Sequence, residues 1–252
     1  MLEEQLKKIR GAQRISAAEV IDHLTTDFFT IHGDRLQADD PAVTVGYGRF
    51  KQQTVLFVGV NRGATLKQRL DYHFGALSPA GYRKVSRGLV QAEKFGWPVI
   101  TLINMPGAAA DVAAELNGQS QALAATISQM GRLTVPNIAL FLGEGESGGA
   151  LALANCNRIL MLENSLYSVA SPEAVQAILK GEPQELTQYL PMTADQLVKL
   201  GLVDQMISEA EQLLPRIEHA LQQQLKELQT WSVAQLQQQR TEKYLAVLAQ
   251  FN

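Results

Sequence analysis

Apolar and polar positions fall into blocks that set the elements of this chain. Residues 42–50 alternate apolar with polar, and 54–60 are nearly continuous apolar; polar Lys51-Gln-Gln53 joins them, which predicts a pair of strands. Residues 98–104 and 137–142 are mostly apolar runs, the pattern of buried strands, and 158–163, 166–170 and 203–207 read as further strands. Between these runs the spacing turns helical. Residues 81–95 keep a helical period that stops at Gly96 before Pro98, 117–133 form another helix, Ser171-Pro-Glu173 opens a third, and 193–200 is a short one ended by Gly201. Residues 1 to 30 read as helical, with Ser16 and Glu19 placed for a capping box. From 209 to 252 the chain is helical and glutamine-rich, with Leu213, Leu214, Ile217, Leu221, Leu225 and Leu228 forming one apolar stripe. Strands alternating with helices predict an α/β fold with a mostly parallel sheet covered on both faces. The expected division is an N-terminal helical segment (1–30), a main domain (31–208) and a C-terminal helical extension (209–252) that docks a partner or the chain itself.

Composition narrows the function classes. With 46% hydrophobic and 19% charged residues in 252, the chain is globular, and a net charge of -3 gives no general case for nucleic acid. Charge is uneven: Arg62, Lys67, Arg69, Arg83, Lys84, Arg87 and Lys94 face only Asp71 and Glu93 within 61–94, which reads as a solvated helix face before it reads as an anion site. The single cysteine, Cys156, excludes an internal disulfide and a cysteine-based zinc site built from this chain alone; within small residues it reads as a buried, inert thiol. The amphipathic, charged N-terminus lacks the apolar core of a signal peptide, and no apolar run approaches the ~20 residues of a membrane span. The chain is expected to be cytoplasmic.

The candidate chemistry lies in Gly143-Glu-Gly-Glu-Ser-Gly-Gly149, between a buried strand and a small-residue helix. Gly143, Gly145 and Gly148 spell a dinucleotide fingerprint, with Glu163 at the end of the next strand where a ribose-binding acid stands. The unit lies mid-chain, however, and Glu144 and Glu146 would repel a pyrophosphate. Gly145, Ser147 and Gly149 spell a hydrolase elbow, but the only downstream histidine, His219, sits within the glutamine-rich helix. Ser147 reads better as a helix cap. A third reading uses neither pattern. Met105-Pro-Gly-Ala-Ala-Ala110 is a second small-residue turn after a buried strand, and two such turns can aim backbone N–H groups at one developing oxyanion.

Together these residues resemble the carboxyltransferase alpha subunit of bacterial acetyl-CoA carboxylase, in the crotonase-like superfamily, from about Ser16 to Ser208. The likeness is carried by His32-Gly-Asp-Arg35, Asp39-Asp-Pro41, Phe74-Gly75, Gly81-Tyr-Arg-Lys84, Ala92-Glu-Lys-Phe-Gly96, Pro98-Val-Ile-Thr101, Pro106-Gly-Ala108, Gly118-Gln-Ser120, Gly143-Glu-Gly145, Ser147-Gly-Gly-Ala-Leu-Ala152, Met161-Leu-Glu163 and Ser171-Pro-Glu173. The resemblance implies a crotonase/ClpP-like spiral of stacked ββα units with helices at both ends. It implies carboxyl transfer from carboxybiotin, held on a separate biotin carrier protein, to acetyl-CoA, giving malonyl-CoA for fatty-acid synthesis. The implied partner is a zinc-ribbon beta subunit in a heterotetramer of two alpha and two beta chains, with no metal in this chain. By match to the family's turns, Gly107, Ala108, Gly148 and Gly149 are the backbone oxyanion-hole donors, and Ala109, Glu146 and Ser147 contact substrate.

The chain departs from the family pattern at Asn104-Met105, at Ala109-Ala-Asp111, at Glu146 where a glycine is usual, at Arg62-Gly-Ala-Thr65 and at Lys180-Gly-Glu-Pro183. Glu146 beside an oxyanion hole is expected to oppose negative charge. A weakly active scaffold paralogue and a stand-alone crotonase-type acyl-CoA enzyme are the alternatives.

Overall fold

The apolar runs become the middle of one sheet. The computed structural model describes residues 2–180 and 190–250. Its strands are β1 (Thr26–Ile31), β2 (Val43–Phe50), β3 (Gln53–Val60), β4 (Val99–Met105), β5 (Asn137–Glu146), β6 (Arg158–Leu162), β7 (Leu166–Ser168) and β8 (Gln205–Ile207). They are ordered β1-β2-β3-β4-β5-β6-β8, with β7 paired to β5 beyond β6. The β1-β2-β3 edge is antiparallel, and every pairing from β3 onward is parallel. All residues of β4 and β5 are buried, which is why most of each strand reads as a continuous apolar run rather than an alternating one.

The helices are α1 (Leu2–Ile9), α2 (Ala17–Leu24), α3 (Leu66–Asp71), α4 (Pro79–Phe95), α5 (Val112–Leu116), α6 (Gln119–Arg132), α7 (Ser147–Ala154), α8 (Pro172–Leu179), α9 (Ala194–Lys199), α10 (Leu213–Leu228) and α11 (Val233–Leu248), with a 3₁₀ turn at His73–Gly75. On one face Val58, Ile103 and Phe141 pack against Tyr82 and Leu89 of α4, Met130 of α6 and Leu153 of α7. On the other, Phe57, Leu102 and Leu140 pack against Val20 of α2, Leu221 and Leu225 of α10 and Leu236 of α11. Each such side chain contributes roughly 1.5–3 kcal/mol on burial. Local chemistry places the helix ends as expected. Ser16 and Glu19 form the capping box of α2, Ser78 and Pro79 start α4, and Gly96 ends α4 in the left-handed region (φ 68°).

Two expectations are corrected. The N-terminal helical reading stops at Leu24, where Thr25 turns extended, and Thr26–Ile31 joins the sheet edge opposite β2, with Phe29 facing Tyr47 and Ile31 facing Val45. Thr26, Phe28, Phe29, Thr30 and Ile31 are strand formers, and that propensity decides a segment too short to nucleate another helical turn. The second correction concerns Gly143 to Glu146, which are strand rather than turn. β7 pairs with Glu144, Gly145 and Glu146 and holds them in the sheet. The glycines serve packing: a Cβ on Gly143 would lie 2.4 Å from Asn104 Oδ1, and one on Gly145 would lie 2.1 Å from the Phe141 ring. The strands expected at 166–170 and 203–207 shorten to three residues each.

The glutamine-rich extension forms α10 and α11, both packed on the chain's own domain through 250. Its last two residues, and Gly181-Glu-Pro183 of the divergent Lys180 turn, lie outside the described residues.

Candidate active site

The site begins where β4 and β5 end. After Met105 and Pro106 the chain reverses at Gly107, whose φ of 111° is a region that favours glycine. Ala108 then bridges Leu77, and the Ala109 N–H donates to Leu77 O at 3.0 Å, so the turn is tied to the residue just before α4. Asp111 closes it by capping α5 through the Ala114 N–H at 2.8 Å. From β5 the extended Glu146 passes to Ser147, which has a φ of 58°, and α7 starts there.

Absence of a side chain at Gly149 lets the two turns touch. A Cβ there would lie 2.5 Å from Ala108 N and 2.7 Å from Gly107 C. The structure therefore brings Gly107, Ala108 and Gly149 together, with Gly148 next to them at the first turn of an eight-residue helix. The opening N–H groups of a helix have no intrahelical acceptor and carry its positive dipole end. Such a pair of turns stabilises negative charge on a bound oxygen without a side-chain nucleophile.

The other expected residues divide. Ala109 is beside the donors, its own N–H already used. Ser147 is exposed and its side chain makes no capping bond, so the cap reading is corrected: Glu146 holds the cap position and Ser147 is already the first residue of α7. Its strained strand-to-helix setting matches a hydrolase elbow, but His219 lies exposed on α10, across the sheet from α7. Glu163 accepts from Ser208 Oγ and the Glu209 N–H, both at 3.2 Å, which makes it a tie between the end of β6 and the loop after β8 rather than a ribose ligand. Cys156 is fully buried just past α7, and burial pushes its thiol up to about 12.

Strand alternation puts Glu144 and Glu146 on the face of β5 opposite α7. Glu144 is ion-paired with Arg10 and, at 2.5 Å, with Arg62, and Arg10 holds Glu173 at 2.5 Å. Asn104 Oδ1 accepts from the Glu144 N–H at 3.2 Å. Arg10, Arg62 and Asn104 are the site-neighbouring residues that sequence reasoning missed in this role; Asn104 and Arg62 stood out only as departures. Glu146 has no cation at ion-pair distance among the described residues, and burial, followed by the Glu144 charge, pushes it up to about 7. The full charge expected at Glu146 is thus reduced near neutrality, and its side chain lies on the far face of β5 from α7. A carboxyl whose folded pKa is raised loses stabilisation as pH climbs from its ordinary value of 4.5 to about 7. Glu146→Gln is expected to remove that slope, which is at most about 1.4 kcal/mol per pH unit. Urea unfolding at pH 5, 6, 7 and 8 checks it, and parallel curves for the two proteins would refute it.

The basic run 61–94 turns out to be mostly internal ties. Arg83 holds the buried Asp34 at 2.8 Å, Lys84 holds Asp39 at 2.5 Å, and Arg87 donates to His32 O at 3.1 Å.

A family model described as acetyl co-enzyme A carboxylase carboxyltransferase-like matches residues 3–248. The acetyl-coenzyme A carboxylase carboxyl transferase subunit alpha of Streptococcus thermophilus is 39% identical over 246 residues, 95% of this chain and 96% of that relative. The chain belongs to this carboxyltransferase alpha-subunit family. The same subunit of Bacillus cereus is 40% identical over 255 residues, covering 97% of this chain and 79% of its own. Among solved structures, transcarboxylase 12S with hydrolysed methylmalonyl-coenzyme A bound has a TM-score of 0.73 at 17% identity, over 90% of this chain and 43% of its own. A Pseudomonas malonate decarboxylase hetero-dimer has 0.65 at 20% identity, over 75% and 82%. These likenesses confirm the crotonase-like fold, and the family makes the chain a transferase subunit. The match also reaches beyond Ser16 and Ser208, taking in both terminal helical segments.

Proposed function

We propose that the chain is the alpha half of an acetyl-CoA carboxyltransferase, moving a carboxyl group from carboxybiotin to acetyl-CoA to give malonyl-CoA. Carboxybiotin, delivered on a biotin carrier protein, supplies the activated carboxyl group. The observation that carries this reading is the contact of Gly149 with the Gly107–Ala108 peptide, which joins two sets of backbone donors. The fit is to a ureido oxygen: the N–H groups of Gly107, Ala108, Gly148 and Gly149 favour negative charge there as the carboxyl group leaves. Ala109 and Ser147 border the same place, and Glu146 reaches it through its backbone carbonyl, 3.7 Å from the position a Cβ on Gly107 would take; all three are the proposed substrate contacts.

A beta subunit carrying a zinc ribbon completes the site in a two-alpha, two-beta assembly. Support comes from the apolar residues that follow the Gly107 turn: Val112 and Leu116 of α5 are 76% and 82% exposed. Among the described residues no helix is long and apolar enough to cross a membrane. The isolated chain is expected to show no turnover and to gain it on mixing with the purified beta subunit. Malonyl-CoA-dependent carboxylation of free biocytin measures this. Full activity from the alpha chain alone sinks the shared site.

A further inference from the structure

Tyr82 is fully buried on the first turn of α4, and among the described residues its hydroxyl is one of three buried side-chain groups with an atom lacking a hydrogen-bond partner. A buried hydroxyl without a partner is destabilising, so its place in the fold calls for a reason. That place is specific. The point that a Cβ on Gly149 would occupy is 3.0 Å from Tyr82 Oη and 2.5 Å from Ala108 N. The phenol oxygen, the Gly149 backbone and the Ala108 amide therefore meet at one spot, on the side of the donors that faces the core. Burial, with the Asp40 charge adding to it, raises the phenol well above its ordinary range, so the group stays a neutral O–H.

We infer that the Tyr82 hydroxyl is a positioning group for the carboxyl-transfer site, setting how closely the Gly149 turn approaches the Ala108 turn and turning its O–H dipole toward the charge held there. This rests on the proposed function. A phenylalanine keeps the ring and its packing but removes the oxygen that packs beside the Gly149–Ala108 contact, so the Gly149 turn is free to shift against Ala108 while the core stays filled. The tension between fold and site then becomes measurable. Tyr82→Phe should unfold at a higher temperature, because a polar group without a partner is gone, and should turn over more slowly, because the donors have moved.

The test uses the full chain with its beta subunit. Tyr82→Phe is expected to lower kcat for biocytin carboxylation by about tenfold or more, with KM changed less than about twofold and Tm raised. In the isolated ¹⁵N-labelled chain, the Ala108 and Gly149 amide resonances are expected to shift while those of the distant α11 do not. Unchanged kcat, or a lowered Tm, overturns the inference. If the wild-type pair shows no turnover, the proposed function fails by itself, and unshifted Ala108 and Gly149 amides still overturn the positioning role.

Discussion

Gly149→Ala is expected to reduce kcat by about a hundredfold or more while leaving the chain folded. The new Cβ would sit 2.5 Å from Ala108 N and 2.7 Å from Gly107 C, and both are backbone atoms that no rotamer change can move. The Gly107 turn cannot easily retreat, since the Ala109 N–H is bonded to Leu77 O at 3.0 Å and Asp111 anchors the far side. Locally the substitution favours the helix: alanine exceeds glycine in helix propensity by about 1 kcal/mol, and Gly149 does not have a positive φ. Two effects therefore oppose each other, and the steric one falls on the donors. Gly148→Ala is the matched control, because its Cβ would meet only Leu123 Cδ2, at 3.4 Å, and its N–H is retained. It is expected to keep kcat within about threefold. Equal activity of Gly149→Ala and wild type, measured on the reconstituted pair with circular dichroism confirming the fold, would refute the two-turn site.

How far the sequence reveals this site depends on the range of each interaction. β4 and β5 were legible because strands buried on both faces are apolar along most of their length, and α2 and α4 because their caps are local chemistry. β1 was not, because the capping box of α2 gives a helical start and nothing nearby marks its end as clearly. The glycine run misled for a physical reason. Glycine marks a turn and a tight approach with the same letter, and at Gly143 and Gly145 the approach of Asn104 and Phe141 was the operative cause. The proposed donor residues were named through resemblance, but the contact of their two turns is tertiary. The surroundings of Glu144 and Glu146 were beyond reach, since Arg10, which pairs with Glu144, lies 134 positions away. A glutamate in a motif reads as a charge, and whether it keeps that charge is decided by such distant partners.

Arg240→Ala is expected to destabilise the chain by about 3–5 kcal/mol, a large share of the 5–15 kcal/mol typical of a domain. The leucine stripe of the C-terminal extension foretold docking, but not that the seam of α11 would contain an arginine only 2% exposed. Arg240 Nε donates to Gly131 O at 3.1 Å and Nη2 donates to Leu133 O, which satisfies the carbonyl end of α6. Its Nη1 donates to Asn157 Oδ1 at 2.8 Å and to Asn137 Oδ1 at 3.2 Å. Truncation leaves a cavity and takes this donor from four acceptors, of which Asn137 Oδ1 keeps the Asn157 N–H at 2.8 Å; a buried polar group left unpaired costs about 1–3 kcal/mol. Gln238→Ala, at an exposed position of the same helix, should change stability by less than about 0.5 kcal/mol and serves as control. Urea unfolding followed by circular dichroism measures both, and a loss below about 1 kcal/mol for Arg240→Ala would show that the network contributes little. Activity should respond differently. Asn137 and Asn157 lie where β5 and β6 begin, whereas the proposed donors follow the far ends of β4 and β5. At roughly 3.3 Å per residue, the ten residues of β5 separate the two ends by about 30 Å, so at temperatures where Arg240→Ala remains folded its kcat should stay close to that of wild type.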